Sequence, residues 1–322
     1  MPIHVYKSSD SGAPNSLNGT IGSLIPVLDA CLVNGYGAKA PAGFTKEFSG
    51  TNKAVYRAAA GNRHFFKVDD NNPYTGNFNH AAYIRGYETM SGIDTGNGPF
   101  PDVTTHPRGC SLMKHSSNNG ATAREWMLIT DEYFVHLLIN TSGSSDADGH
   151  KGGELYNFGE GVSFKVGDPW FSIVCAGDDN STPATIDVAW YNNMGGNSLH
   201  NGSITNSTPF VCARDHLGNA GPKSCASLVR NWGSAQFGSN STVPYPDPVS
   251  GGLLYEDQLP ITHSNVVRGI FPGIAYPNHQ APVPQGVPVV LNGRTYHPLN
   301  PIRASTAINS RQVFIDLTGP WR

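Results

Sequence analysis

Charge is what this sequence has least of. Asp, Glu, Lys and Arg make up 14% of its 322 residues, against roughly 25% in an average soluble protein. The formal net charge is −3, and no basic tract or Lys/Arg stripe runs along the chain. A direct nucleic-acid partner is therefore disfavoured, because phosphate contacts need clustered positive charge. A surface with few ions suits packing against other proteins, where less charge must be desolvated. Cysteine is also scarce: Cys31, Cys110, Cys175, Cys212 and Cys225. The absence of any Cys-x-x-Cys argues against a zinc ribbon. The expected state is five free, buried or half-buried thiols, as in a reducing cytosol. The alternative is a Cys212–Cys225 loop closed later under oxidising conditions. No segment reaches the ~18 apolar residues of a membrane span. The start, Met1-Pro2-Ile3-His4-Val5-Tyr6, lacks the basic residues and apolar run of a signal peptide. The expectation is a soluble chain made in a cytoplasm, with no membrane partner.

What is plentiful points to strands and loops. The chain has 37 Gly and 24 Pro, and it spreads 14 Phe, 13 Tyr and 5 Trp along its length as core material. Short strands joined by Gly/Pro/Asn turns fit this composition better than helix bundles. The expected fold is mainly β, a β-sandwich-like or mixed β arrangement. It carries one short N-terminal helix, long ordered loops and a Pro-rich extended C-terminal segment. The helix is placed near residues 23–34. Ser23 can cap it, Pro26 falls in its first turn, and Gly35 can supply a left-handed stop. Leu24, Leu28, Cys31 and Leu32 share one face at helical spacing and form its core side.

Alternating or continuous apolar runs mark strands at 44–48, 54–58, 64–68, 82–88, 125–129, 133–139, 170–176 and 311–317. Gly61-Asn62 and Thr130-Asp131-Glu132 mark hairpin turns. A change of character near 178–183 suggests two domains, 1–178 and 179–322. Prolines recur through 243–301, and each removes a backbone donor, so this stretch reads as an extended arm. Its apolar residues Tyr245, Tyr255, Ile270, Phe271 and Tyr276 then need a partner surface, which a neighbouring subunit would supply.

Catalytic and metal signatures are weak. There is no His-Glu-x-x-His, no Gly-x-Ser-x-Gly and no phosphate-binding loop. His106, His115 and His136 could meet in space but follow no ligand spacing. Asp146-Ala147-Asp148-Gly149-His150 resembles the start of a calcium loop without the distal Glu. Glu125, Asp131 and Glu132 surround a hairpin beside Trp126 and Tyr133, which is also how a solvated turn reads. No catalytic, cofactor or metal residue is assigned, and the chain is read as non-enzymatic.

One resemblance adds to this. Gly22-Ser23-Leu24-Ile25-Pro26-Val27-Leu28-Asp29-Ala30-Cys31-Leu32-Val33-Asn34-Gly35 is followed by Phe48-Ser49-Gly50-Thr51-Asn52-Lys53-Ala54-Val55-Tyr56-Arg57. Then come Val68-Asp69-Asp70, Arg85-Gly86-Tyr87-Glu88-Thr89-Met90, Thr95-Gly96 and Gly98-Pro99-Phe100-Pro101. This order of segments resembles virion structural proteins of tailed bacteriophages. Val267-Arg268-Gly269-Ile270-Phe271-Pro272-Gly273-Ile274 is similar to a segment in their C-terminal half. The match is dense over residues 20–105 and thinner beyond. The resemblance implies a role and a place rather than a chemistry. It implies a multi-copy structural component of the virion, in the tail, baseplate or attachment apparatus. Its partners would be copies of itself and other virion proteins. A capsid-surface decoration protein is the alternative. A carbohydrate-binding module or depolymerase, with a host-surface glycan as partner, is the reading from another class.

Overall fold

The structure is a computed structural model. It describes residues 2–14, 17–71, 80–104, 106–117, 119–141, 153–176, 210–220, 226–227, 246–253, 255–263, 266–277, 283–284, 286–299 and 313–322. The fold is mainly β, built from antiparallel sheets with one short helical segment.

An N-terminal sheet runs in the order Thr45–Gly50, Lys53–Arg57, Phe65–Asp69, Ala81–Gly92. Beyond the long fourth strand lie Thr95–Phe100 and Cys110–Met113, end to end, each pairing with one half of it. A central six-stranded sheet runs in the order His4–Lys7, Trp126–Thr130, Phe134–Asn140, Gly153–Glu160, Ser172–Cys175, Phe210–Cys212. The two sheets face each other as a sandwich closed by aromatic contact. Phe66 meets Phe158 at 5.4 Å between ring centroids, and the Tyr156 hydroxyl accepts from the Met113 N–H at 2.8 Å.

The helical segment covers the sandwich beside the first strand. Ile25–Leu28 is α-helical, and Asp29–Asn34 widens into a π-helix ending at Gly35 with φ 73°. Leu24, Leu28, Cys31 and Leu32 are all fully buried. The cap differs from expectation. Ser23 Oγ donates back to the Asn18 carbonyl, and the Leu24 N–H is taken instead by Asp70 Oδ2 at 2.8 Å. A carboxylate distant in sequence therefore does the capping, which no local pattern can reveal. Asp29 fixes the segment to the sheet through Lys46 at 2.7 Å and Tyr56 at 2.9 Å. Leu28→Ala is expected to lower unfolding free energy by about 2–5 kcal/mol, the usual range for truncating a filled core site. Urea denaturation checks this, and an unchanged midpoint would show the site to be loosely packed.

The expected division at 178 does not hold. Ser172–Cys175 pairs with Phe210–Cys212, and Val162–Ser163 pairs with Val266–Phe271. One core cluster runs from Tyr6 to Trp321. Strands from both halves share sheets.

The extended-arm expectation also fails. Residues 243–301 contain the strands Tyr255–Glu256, Leu259–His263, Val266–Phe271, Ile274–Pro277, Val289–Leu291 and Arg294–Leu299. With Val162–Ser163, Ala226–Ser227 and Val313–Asp316 they complete a four-stranded and a five-stranded sheet. Ile270, Phe271 and Tyr276 are buried within the chain itself, and Phe271 packs on Phe134 at 5.1 Å. Tyr255 is half-buried against Tyr296 at 6.0 Å, while Tyr245 lies outside the described residues. The prolines are tolerated because of where they fall. Pro298 sits beyond the reach of Val289–Leu291, which pairs only with 294–296. Pro260 precedes the two positions paired by Ala226–Ser227, and Pro277 lies beyond Ala275, the last position paired by Val313–Asp316. On those sides no neighbouring strand requires an N–H.

The thiol expectation needs correction as well. Cys31, Cys110 and Cys175 are buried thiols outside any disulfide, whereas Cys212 is disulfide-bonded. Cys225, the remaining cysteine, lies outside the described residues. Denatured, unreduced protein is expected to titrate three thiols, and five after reduction. Five before reduction would rule the bond out.

Candidate functional site

Among the described residues a shallow cleft lies on the outer face of the N-terminal sheet. Two neighbouring strands read Phe65-Phe66-Lys67-Val68-Asp69 and Ala82-Tyr83-Ile84-Arg85-Gly86-Tyr87, with Lys67 opposite Arg85 and Asp69 opposite Tyr83. Alternation along a strand sends successive side chains to opposite faces. Phe66, Val68, Ala82 and Ile84 therefore enter the core. Lys67, Asp69, Tyr83, Arg85 and Tyr87 line a cleft of about 170 Å³ on the other side. The loop after Phe100 forms its far wall with Val103, Pro107 and Arg108.

That wall is firmly held. Arg85 is 5% exposed, and its guanidinium donates to the carbonyls of Pro101, at 2.9 Å, and His106. Within the loop the His106 N–H donates to the Asp102 carbonyl at 3.0 Å, and Asp102 Oδ1 accepts from the Thr104 N–H at 2.7 Å. Gly109, at φ 97°, brings the chain back so close to the Ile84 carbonyl that a Cβ would collide.

Charge is gathered on this face. Lys53, Lys67, Asp69 and Asp94 form an alternating set: Lys53 lies 3.2 Å from both Asp69 and Asp94, and Lys67 lies 2.5 Å from Asp94. The hydrogen bond from Lys67 helps hold the Asp94 carboxyl below its ordinary range. Arg57 stacks on Phe65 at 4.5 Å. Arg85, in contrast, meets no carboxylate within ion-pair distance among the described residues. Partial burial pushes the Tyr87 hydroxyl up in pKa, so it stays a neutral donor and acceptor at physiological pH.

Sequence reading missed this cluster. Its cations are isolated along the chain and meet only through strand pairing. The available signal was the period-two pattern Tyr83-x-Arg85-x-Tyr87 facing Lys67-x-Asp69.

The other charged groups serve the framework. Lys114 and Asp70 are both fully buried and pair at 2.5 Å. Burial pushes both toward their neutral forms, the carboxyl up and the ammonium down. Arg268 grips Asp168 with two hydrogen bonds, at 3.0 and 3.1 Å, and lies over the Phe171 ring. Arg214 grips Glu88 in the same way and covers Trp170.

Among the described residues, the candidates raised from sequence sit in turns, ion pairs and the core. Asp131 Oδ1 accepts the N–H groups of Tyr133 and Phe134, closing the hairpin turn. The Asp131 and Glu160 carboxylates both approach Arg322. His136 is buried between the Asn157 amide and the Pro272 carbonyl, whereas His115 caps the Ser117 N–H. Among the described residues no group of three or more His, Cys, Asp and Glu could hold a metal. The Asp146–Asp148 segment lies outside them. No helix among them is long and apolar enough to cross a membrane. The helix-core residues and Ile270, Phe271 and Tyr276 are buried in the chain's own core and do not line the cleft.

No protein-family model matches the sequence, and no curated protein matches it.

Proposed function

We propose that this chain is a non-enzymatic structural component of a tailed-phage virion, in the tail, baseplate or attachment apparatus, acting by multi-copy packing. The observation that carries the reading is three exposed apolar side chains on two loops tied to each other. Phe164 is 59%, Val166 99% and Leu217 73% exposed. Their two loops are tied by a bond from Lys165 Nζ to the His216 carbonyl at 2.7 Å. Exposed large apolar side chains on neighbouring loops of a weakly charged chain favour protein contact.

The segments that carry the resemblance support it too, because they touch one another. Asp70 caps Leu24 and also accepts from the Gly22 N–H through its main chain. Gly86 leaves room for the Phe100 ring, which a Cβ there would strike.

Antibody-gold labelling of purified particles tests the proposal. Label on the tail or baseplate is expected. Label over the capsid would favour the decoration reading, and unlabelled particles would overturn both.

A further inference from the structure

Lys114 and Asp70 are a reactive combination as well as a charged one. In water an amine and a carboxyl group do not condense, because both are ionised. An ammonium has no lone pair to attack with, and a carboxylate resists attack. Burial changes both. The two side chains are fully buried, and desolvation raises the carboxyl to about 6 and lowers the amine. Taking two charges out of water costs more than a single contact between them readily returns. One proton passed along the 2.5 Å contact from Nζ to Oδ1 leaves a neutral amine against a neutral acid.

The surroundings suit that neutral pair atom by atom. A neutral amine has two N–H donors and one lone pair. The Thr20 carbonyl and Ser23 Oγ accept from Nζ, which leaves the lone pair for the Asp70 carboxyl. Ser23 spends its own proton on the Asn18 carbonyl, so toward Nζ its oxygen is an acceptor. Asp70 Oδ2 accepts from the Leu24 N–H at 2.8 Å. That fixed main-chain donor sits where negative charge develops when an amine adds to the carboxyl carbon.

We propose that Lys114 and Asp70 condense into an intramolecular isopeptide bond. Nζ attacks Cγ of Asp70 and an N–C bond forms. The C–Oδ1 bond breaks, and Oδ1 leaves as water with its own proton and one from Nζ. No oxidant, metal or second substrate is consumed. The product strands no polar atom: Oδ2 keeps the Leu24 N–H, and the one remaining amide N–H has the Thr20 carbonyl. Both charges disappear from the core.

The position of the bond gives it a mechanical sense. Asp70 directly follows the strand Phe65–Asp69, and Lys114 directly follows Cys110–Met113. These strands flank Ala81–Gly92 on its two sides. The cross-link fastens them to each other across the strand between, and it closes residues 70–114 into a covalent ring.

Mass spectrometry of the purified full chain, reduced and denatured, tests the proposal. The chain is expected to be one water lighter than its sequence mass. Its protease digest is expected to contain a branched peptide joining the segment around Asp70 to the segment around Lys114. Lys114→Met and Asp70→Ser are each expected to restore the full sequence mass. The wild-type digest decides the matter even where a variant fails to fold. Full sequence mass in wild type would overturn the proposal. So would a water lost within one unbranched peptide, as when the Asp70 side chain closes on the next main-chain nitrogen.

Discussion

Lys114→Met is expected to destabilise the protein by about 3–5 kcal/mol, because it strands a buried carboxylate. Lys114 and Asp70 have fully buried side chains. The ammonium also donates to the Thr20 carbonyl and to Ser23 Oγ. The pair therefore ties the loop before the helix to the ends of two sheet strands. With Lys114 gone, Asp70 must either remain charged without a partner or bind a proton. Both are costly where its other oxygen caps Leu24. Lys114→Met combined with Asp70→Asn is expected to recover much of the loss, since a neutral amide can still accept from Leu24. Urea unfolding of the single and double variants measures this. If Lys114→Met unfolds like wild type, the pair is not closed in solution.

The second large effect is a loss of stability in acid carried by His136. It lies fully buried against Phe134, Phe271 and Trp321. Burial pushes its pKa down from 6.5 to about 4. The Pro272 carbonyl can only accept, so Nε2 carries the proton of the neutral ring, and the Asn157 amide must then turn its NH2 to Nδ1. Between pH 6.5 and about 4 the unfolded chain binds this proton and the folded chain does not. Stability from this group is therefore complete above pH 6.5 and falls as pH drops. A shift of that size corresponds to about 3 kcal/mol. Buried carboxyls, Asp131 and Glu160 among them, are raised by desolvation and work in the opposite direction. The clean measurement is thus a difference. From pH 7 to pH 4, wild type is expected to lose about 3 kcal/mol more than His136→Gln, in which the carboxyl contributions cancel. Parallel pH curves would show that His136 charges freely in the folded state.

Local pattern made the strands legible. The hairpin from Trp126–Thr130 to Phe134–Asn140 and the pair Lys53–Arg57 and Phe65–Asp69 follow from apolar runs broken by turn residues. So does the buried face of Leu24, Leu28, Cys31 and Leu32. What the sequence hid was non-local. The Asp70 cap on Leu24 spans 46 residues, and the Arg268–Asp168 pair spans 100. Prolines in 243–301 suggested an arm because a proline's effect depends on whether its neighbour strand is present at that position. That is a property of sheet order and not of sequence. The charged cleft was hidden for the same reason: Lys67, Asp69 and Arg85 become neighbours only once the strands pair.

Virion membership is measured by quantitative mass spectrometry of gradient-purified, salt-washed particles. This chain is expected in several copies per particle, retained through the wash in constant ratio to the other structural proteins. Its absence, or its loss with the wash to less than one copy per particle, would rule virion membership out.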